Sequence, residues 1–179
     1  MADDFRDLFK NWQPGEEGPA RGESELPEAE NRSPRSLNEK EVKVMGIWGA
    51  QDPQNPDGPP KQTFVLLRDN RGRRAPIFIG PFETLAIQMA LEGTSPERPL
   101  THDLLKSSID RLGGTVERII IDDLWQGTFY AKVSVAQKDT VMDIDARPSD
   151  AIALALRTRS PIYMAEHVIE EAGQEDTDQ

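Results

Sequence analysis

Residues 128–159, TFYAKVSVAQKDTVMDIDARPSDAIALALRTR, change their hydrophobic period once, and that change decides the fold. From Thr128 to Val135, Phe129, Ala131, Val133 and Val135 alternate with polar neighbours, the pattern of a strand with one buried face. Val141 to Asp145 continues as a second strand, with Met142 and Ile144 on one side and Asp143 and Asp145 on the other. Pro148 then opens an Ala- and Leu-rich helix through Arg159, which Ser160-Pro161 ends.

Working outward, Thr115 to Ile121 is β-branched and pairs with Thr128 to Val135 across a turn at Asp123–Gly127. Further upstream, Val42 to Trp48 reads as a strand closed by the proline-rich loop Asp52–Pro60. Thr63 to Leu67 and Ala75 to Ile79 flank the turn Asp69–Gly72 and form a hairpin. Two helices lie between these strand groups. One runs from Pro81 to Glu92 and stops at Gly93; the other starts at Thr101 as its cap and runs to Leu112, with Leu105, Ile109 and Leu112 on one stripe. A short strand at Ile162–Met164 precedes a last stretch to Ala172. Strands, helices and strands again, joined mostly as hairpins, predict one α+β domain: a mixed, mostly antiparallel sheet with helices packed on one side.

Charge divides the 179 residues into three parts. Residues 1–40 carry 10 acids against 6 bases, 166–179 carry 6 acids and no Lys or Arg, and 41–165 are almost balanced at 16 against 15. Residues 13–40 hold only Leu26 and Leu37 as large apolar side chains, too few to offset chain entropy, so 1–40 reads as a disordered acidic arm. Within it, Phe5, Leu8, Phe9 and Trp12 fall at helical spacing and mark a short amphipathic segment over 3–12. The domain is placed at 41–165, and 166–179 reads as a short helix and an acidic tail.

The absence of cysteine removes disulfides, thiolate nucleophiles and Cys-based zinc sites. The opening Met1-Ala-Asp-Asp-Phe-Arg-Asp lacks the basic-then-apolar order of a signal peptide, and no apolar run nears the roughly 20 residues of a membrane helix. Cytoplasm is the expected compartment and no membrane partner is expected. With a net charge of -11, any nucleic-acid contact must come from a local basic cluster.

DARPSDAIALALR, from Asp145 to Arg157, followed by SPIYM, from Ser160 to Met164, resembles the signature of the bifunctional nuclease domain family. IGPFETLAI from Ile79, RPLTHDLL from Arg98 and DDLWQGTFYAKV from Asp122 are similar to other segments of that family in the same order. The resemblance implies an α+β domain, homodimeric or larger, that cleaves both DNA and RNA in a groove.

On the residues themselves, phosphodiester hydrolysis needs a positioned water, neutralised phosphoryl oxygens and a proton for the leaving oxygen. In a cysteine-free chain with two histidines, carboxylates holding Mg²⁺ or Mn²⁺ can meet the first two needs. Asp143, Asp145 and Asp150 are the candidate metal ligands, expected to converge where the strand meets the helix, with Asp145 and Asp150 also catalytic. Glu83, His102 and Asp103 are further catalytic candidates, the imidazole because it titrates near neutral pH. Arg147 and Ser149 sit at the helix N-terminus, which favours a phosphate. Arg98, Arg73 and Arg74 extend the basic set, with Arg68 and Arg71 around the same hairpin turn; Trp48, Trp125 and Tyr130 are candidates for base stacking.

Each has a plainer alternative. Asp150 complements the helix dipole, Ser149 caps, Arg147 pairs with Asp143 or Asp145, Glu83 caps its own helix and His102 is solvated. A non-catalytic dimeric interaction or regulatory module of the same fold therefore stands beside the nuclease. No nucleophile elbow and no phosphate-cradling glycine loop is present, which excludes a Ser-His-Asp hydrolase of that type and nucleotide-driven work.

Overall fold

The structure, a computed structural model, describes residues 38–50, 60, 62–94 and 96–173. The amphipathic segment at 3–12, the rest of the arm before Asn38, nearly all of the proline-rich loop and the acidic tail from residue 174 lie outside the described residues. Among the described residues seven strands form one sheet: β1 (Glu39–Ala50), β2 (Gln62–Asp69), β3 (Arg74–Ile79), β4 (Gly114–Trp125), β5 (Thr128–Gln137), β6 (Thr140–Ala146) and β7 (Ile162–Ala165). Four helices accompany them: α1 (Pro81–Leu91), α2 (Thr101–Arg111), α3 (Pro148–Thr158) and α4 (Glu166–Ala172).

The strand order is β3-β2-β1-β7-β4-β5-β6. Every pairing is antiparallel except β7 with β4, so the sheet is two three-stranded meanders joined by β7, which pairs with β1 at Glu39–Val42 and with β4 at Ile119–Ile121. Ser160 Oγ, donating to the Val116 carbonyl at 2.7 Å, fixes the entry into this seam.

One apolar cluster fills the helix-bearing face. Val65 and Leu67 of β2, Ile119 and Ile121 of β4, Ile152 and Leu154 of α3, and Val168 and Ile169 of α4 all lie in it. Fully burying such a side chain contributes about 1.5–3 kcal/mol. α3 lies innermost and packs against α1, α2, β4 and β5. Ala151, Ala153 and Ala155 are buried along it, small enough to admit close neighbours. The α+β class, the mixed, mostly antiparallel sheet and the one-sided helices follow the sequence-based expectation.

Three local expectations change. The turn between β4 and β5 shrinks from Asp123–Gly127 to Gln126-Gly127: both adopt positive φ, 50° and 76°, as the tightest hairpin turn demands, and Leu124 and Trp125 stay in the ladder opposite Phe129 and Thr128. Thr101 is the first residue of α2 rather than its cap; the Asp103 carboxylate instead accepts the Leu100 N–H at 2.9 Å. Of the predicted stripe, only Ile109 packs on the core, while Leu105 and Leu112 are exposed, because α2 packs chiefly on α3 and touches the sheet mainly at β4.

β6 keeps its predicted parity. Met142 and Ile144 pair with the core residues Val135 and Val133, and Asp143 and Asp145 point to the opposite face. As the edge strand, however, it leaves Met142 and Ile144 nearly half exposed.

Candidate active site

α3 begins with Pro148, whose ring suits the first helical turn, and Arg147 stands at its N-cap position. The same turn places Asp150 beside the start of α2. There the Asp150 Oδ1 lies 3.1 Å from Nε2 of His102. Arg147 donates from Nε to Asp150 Oδ2 at 2.8 Å and from Nη2 to Oδ1 at 3.2 Å, while its Nη1 lies 2.9 Å from Glu83 Oε1. Glu83, Arg147, Asp150 and His102, from three separate segments, thus form one continuous chain of contacts. They border a cleft of about 350 Å³ whose apolar wall is Phe82, Leu85, Ala86 and Leu100.

Burial pushes the Asp150 carboxyl up, but hydrogen bonds from Arg147 and His102 outweigh it and hold the group below its ordinary value. The charges of Asp150 and Glu83 in turn raise Arg147, chiefly through the Asp150 hydrogen bond. An ionised Asp150 can only accept, so the His102 Nε2–H donates the hydrogen bond, which leaves Nδ1 as the acceptor nitrogen of a neutral ring. The His102 ring makes no other hydrogen bond among the described residues. The ring is mostly buried, whereas Arg147 is 65% exposed and open to an incoming group.

The remaining candidates take other places. The three-aspartate centre expected at the strand-to-helix junction is not assembled. Asp143 accepts from Ser134 Oγ at 2.6 Å, Asp145 stands exposed opposite Lys132, and only Asp150 faces the cleft. The reason is parity: Asp143 and Asp145 leave β6 on the face away from the helices. Among the described residues no three Asp, Glu or His side chains gather as a metal cluster. Arg147 pairs with Asp150 and Glu83, not with Asp143 or Asp145.

Asp103 caps α2 and accepts from Arg157 Nε at 2.7 Å. Arg73 is held by Asp69 and, at 3.0 and 3.1 Å, by both oxygens of Glu166, so its guanidinium joins the β2–β3 turn to α4. Arg98 is exposed in the loop before α2, and Arg74 starts β3. Ser149 is buried and borders a second cleft of about 310 Å³, shared with Phe78, Glu83 and Arg147.

Arg157 was not singled out by its residue type, yet it carries the site's scaffold. Its Nη1 donates to the Ala86 carbonyl of α1 at 3.0 Å and to Ala153 of α3 at 2.8 Å, and its Nε holds Asp103 of α2. Its place four residues after Ala153, on the helix face that meets α1 and α2, was the available signal.

The bifunctional nuclease domain model matches residues 65–177, well over half of the chain. The chain belongs to that family. The chain is also 43% identical over 134 residues to an uncharacterised protein of Mycobacterium tuberculosis, covering 74% of this chain and 76% of that relative. Bifunctional nuclease 2 of Arabidopsis thaliana is 25% identical over 117 residues, 63% of this chain but 36% of the plant protein. Bifunctional nuclease 1 of Oryza sativa subsp. japonica is 25% identical over 112 residues, 60% of this chain and 34% of the relative. Membership supports nuclease-type function in general for the domain. No helix among the described residues is long and apolar enough to cross a membrane.

Proposed function

We propose that the cleft bordered by Glu83, His102, Arg147 and Asp150 hydrolyses phosphodiester bonds in DNA and RNA with low sequence specificity. The observation that carries this reading is the His102–Asp150–Arg147 contact chain at the mouth of a cleft within the family's domain. His102 Nδ1 takes a proton from a water as its oxygen attacks phosphorus; Asp150 orients the ring and balances the imidazolium. Arg147 exchanges a carboxylate contact for a phosphoryl oxygen, and the leaving oxygen recovers the proton from the imidazolium.

No step of this route passes through a metal. Glu83 and Asp150 face the cleft, but both already hold Arg147, and a two-carboxylate set shared with a guanidinium does not make a cage for Mg²⁺ or Mn²⁺. Metal dependence is a variable of the assay.

The test is hydrolysis of single- and double-stranded DNA and RNA by the full chain in EDTA, Mg²⁺ and Mn²⁺, beside His102→Ala and Asp150→Asn. Loss of a general base lowers the rate by roughly 10²–10⁴-fold. Equal cleavage by His102→Ala removes this site, and no cleavage by folded wild type under any condition removes the enzyme. One observation favours a second reading: Arg147 is already satisfied by two carboxylates, as in a non-catalytic interaction module. A protein partner retained by Asp150→Asn, with no hydrolysis by wild type, is the outcome that selects it. Self-association of the chain belongs to the proposal as well, because the edge strand β6 leaves Met142 and Ile144 exposed.

A further inference from the structure

The outer face of the β1-β2-β3 meander carries two parallel rows. Trp48, Phe64 and Phe78 are register partners across the three strands, and Lys43, Arg68 and Arg74 are register partners four residues along β2. At about 3.3 Å per residue the rows lie roughly 13 Å apart. Trp48 and Phe64 stack at 6.5 Å with planes 15° apart, and Phe78 meets Phe64 edge-on at 5.7 Å.

The rings are seated, not merely left over. A side chain on Gly46 would lie 3.2 Å from two atoms of the Trp48 ring, so the indole packs over the space that the glycine leaves open. Gly46 also holds φ +147° at the bulge in β1, a conformation that glycine adopts without strain. Trp48 is 42% exposed and Phe78 58%.

We infer that this face is a stacking platform for single-stranded nucleic acid that feeds the cleft. The inference rests on the nuclease reading and names the form of its substrate. Aromatic rings on an open sheet accept splayed bases of any sequence, whereas a duplex keeps its bases paired and out of reach. The row of three cations complements the phosphates of the same strand. Continuity supplies the third argument. Phe78 borders the cleft of about 310 Å³ that also holds Ser149, Glu83 and Arg147, and the last two border the cleft of His102 and Asp150 as well. A strand laid across the rings therefore leads to Arg147.

The test is fluorescence anisotropy of a labelled 12-nucleotide oligothymidylate and of a blunt mixed-sequence duplex, titrated with the full chain and with Trp48→Ala, Phe78→Ala and Trp48→Phe. Far-UV circular dichroism verifies each fold, a gel after each titration reads strand cleavage, and light scattering reads mass. Removing one ring weakens single-strand binding roughly 5- to 140-fold. Duplex binding changes less than about twofold, and Trp48→Phe stays near wild type. That pattern supports the platform whether or not the strand is cut; without cutting, it is the nuclease reading that fails. Unchanged binding by both ring-to-alanine variants while wild type cleaves overturns the platform alone. No single-strand binding by wild type, or a fall in assembly mass on losing Trp48 or Phe78, also overturns it, the latter because the face is then a contact between copies.

Discussion

Arg157→Met tests whether the cleft is held open by one buried guanidinium. The Arg157 side chain is 8% exposed and joins three helices through Asp103 and the carbonyls of Ala86 and Ala153. Both carbonyls belong to helix interiors and keep their backbone partners, so the main loss is the ion pair. Methionine preserves much of the apolar stem. Breaking a buried pair costs about 3–5 kcal/mol, and a hydrogen bond to a charged group about 1.5–3 kcal/mol. Asp103 is 30% exposed, so water recovers part of this, and we expect a loss of about 2–3 kcal/mol.

At roughly 2–4 °C per kcal/mol for a chain of this size, Tm falls by about 4–12 °C. Urea unfolding of wild type, Arg157→Met, Asp103→Asn and the double variant gives the coupling between the two residues, expected to exceed about 1 kcal/mol. A loss below about 0.5 kcal/mol, or single effects that simply add, would refute the anchoring argument.

Acid sensitivity follows from four carboxyl groups. For Asp69, Asp103 and Asp150 burial pushes the pKa up, and hydrogen bonds from a guanidinium, joined by backbone N–H groups at Asp69 and Asp103 and by His102 at Asp150, outweigh it; for Glu166 the hydrogen bonds from Arg73 pull the pKa down against burial. Lowered folded-state values mean stability that is fully present above the ordinary 3.8 and 4.5 and lost as pH falls through the lowered values. Tm should therefore hold from neutrality to just above that range and drop below it; a flat profile to pH 3 would contradict the network. Ile144→Lys, on the exposed edge strand, should leave Tm within a few degrees but convert any homo-oligomer to monomer in light scattering. An unchanged mass would move the contact elsewhere.

Much of the fold was legible because its signals are local. The alternation at Phe129–Val135 and the apolar run of α3 describe their own burial, and glycine and proline mark their limits. The site was legible only in part. Arg147, Asp150, Glu83 and His102 were each visible by type and by place at a helix start, but the contact of His102 with Asp150 spans 48 residues of sequence and depends on how α2 leans on α3. The three-aspartate centre failed for a physical reason present in the sequence: a period of two puts Asp143 and Asp145 on one face, and nothing local says which face the helices cover. Arg73 shows the opposite error. In sequence it belongs to a basic turn, but Asp69, four residues earlier, and Glu166, far along the chain, take its charge.

The seam at β7 bears on how the molecule is made. Among the described residues, Ile162–Ala165 supply the sole strand between the two meanders, and they follow every other described strand. As the chain emerges from the ribosome, each meander can zip from its own hairpins within microseconds, yet the halves have no shared ladder until β7 arrives. Its partners in β1 lie more than 100 residues back, so that closing event sets the slow, non-local step of folding.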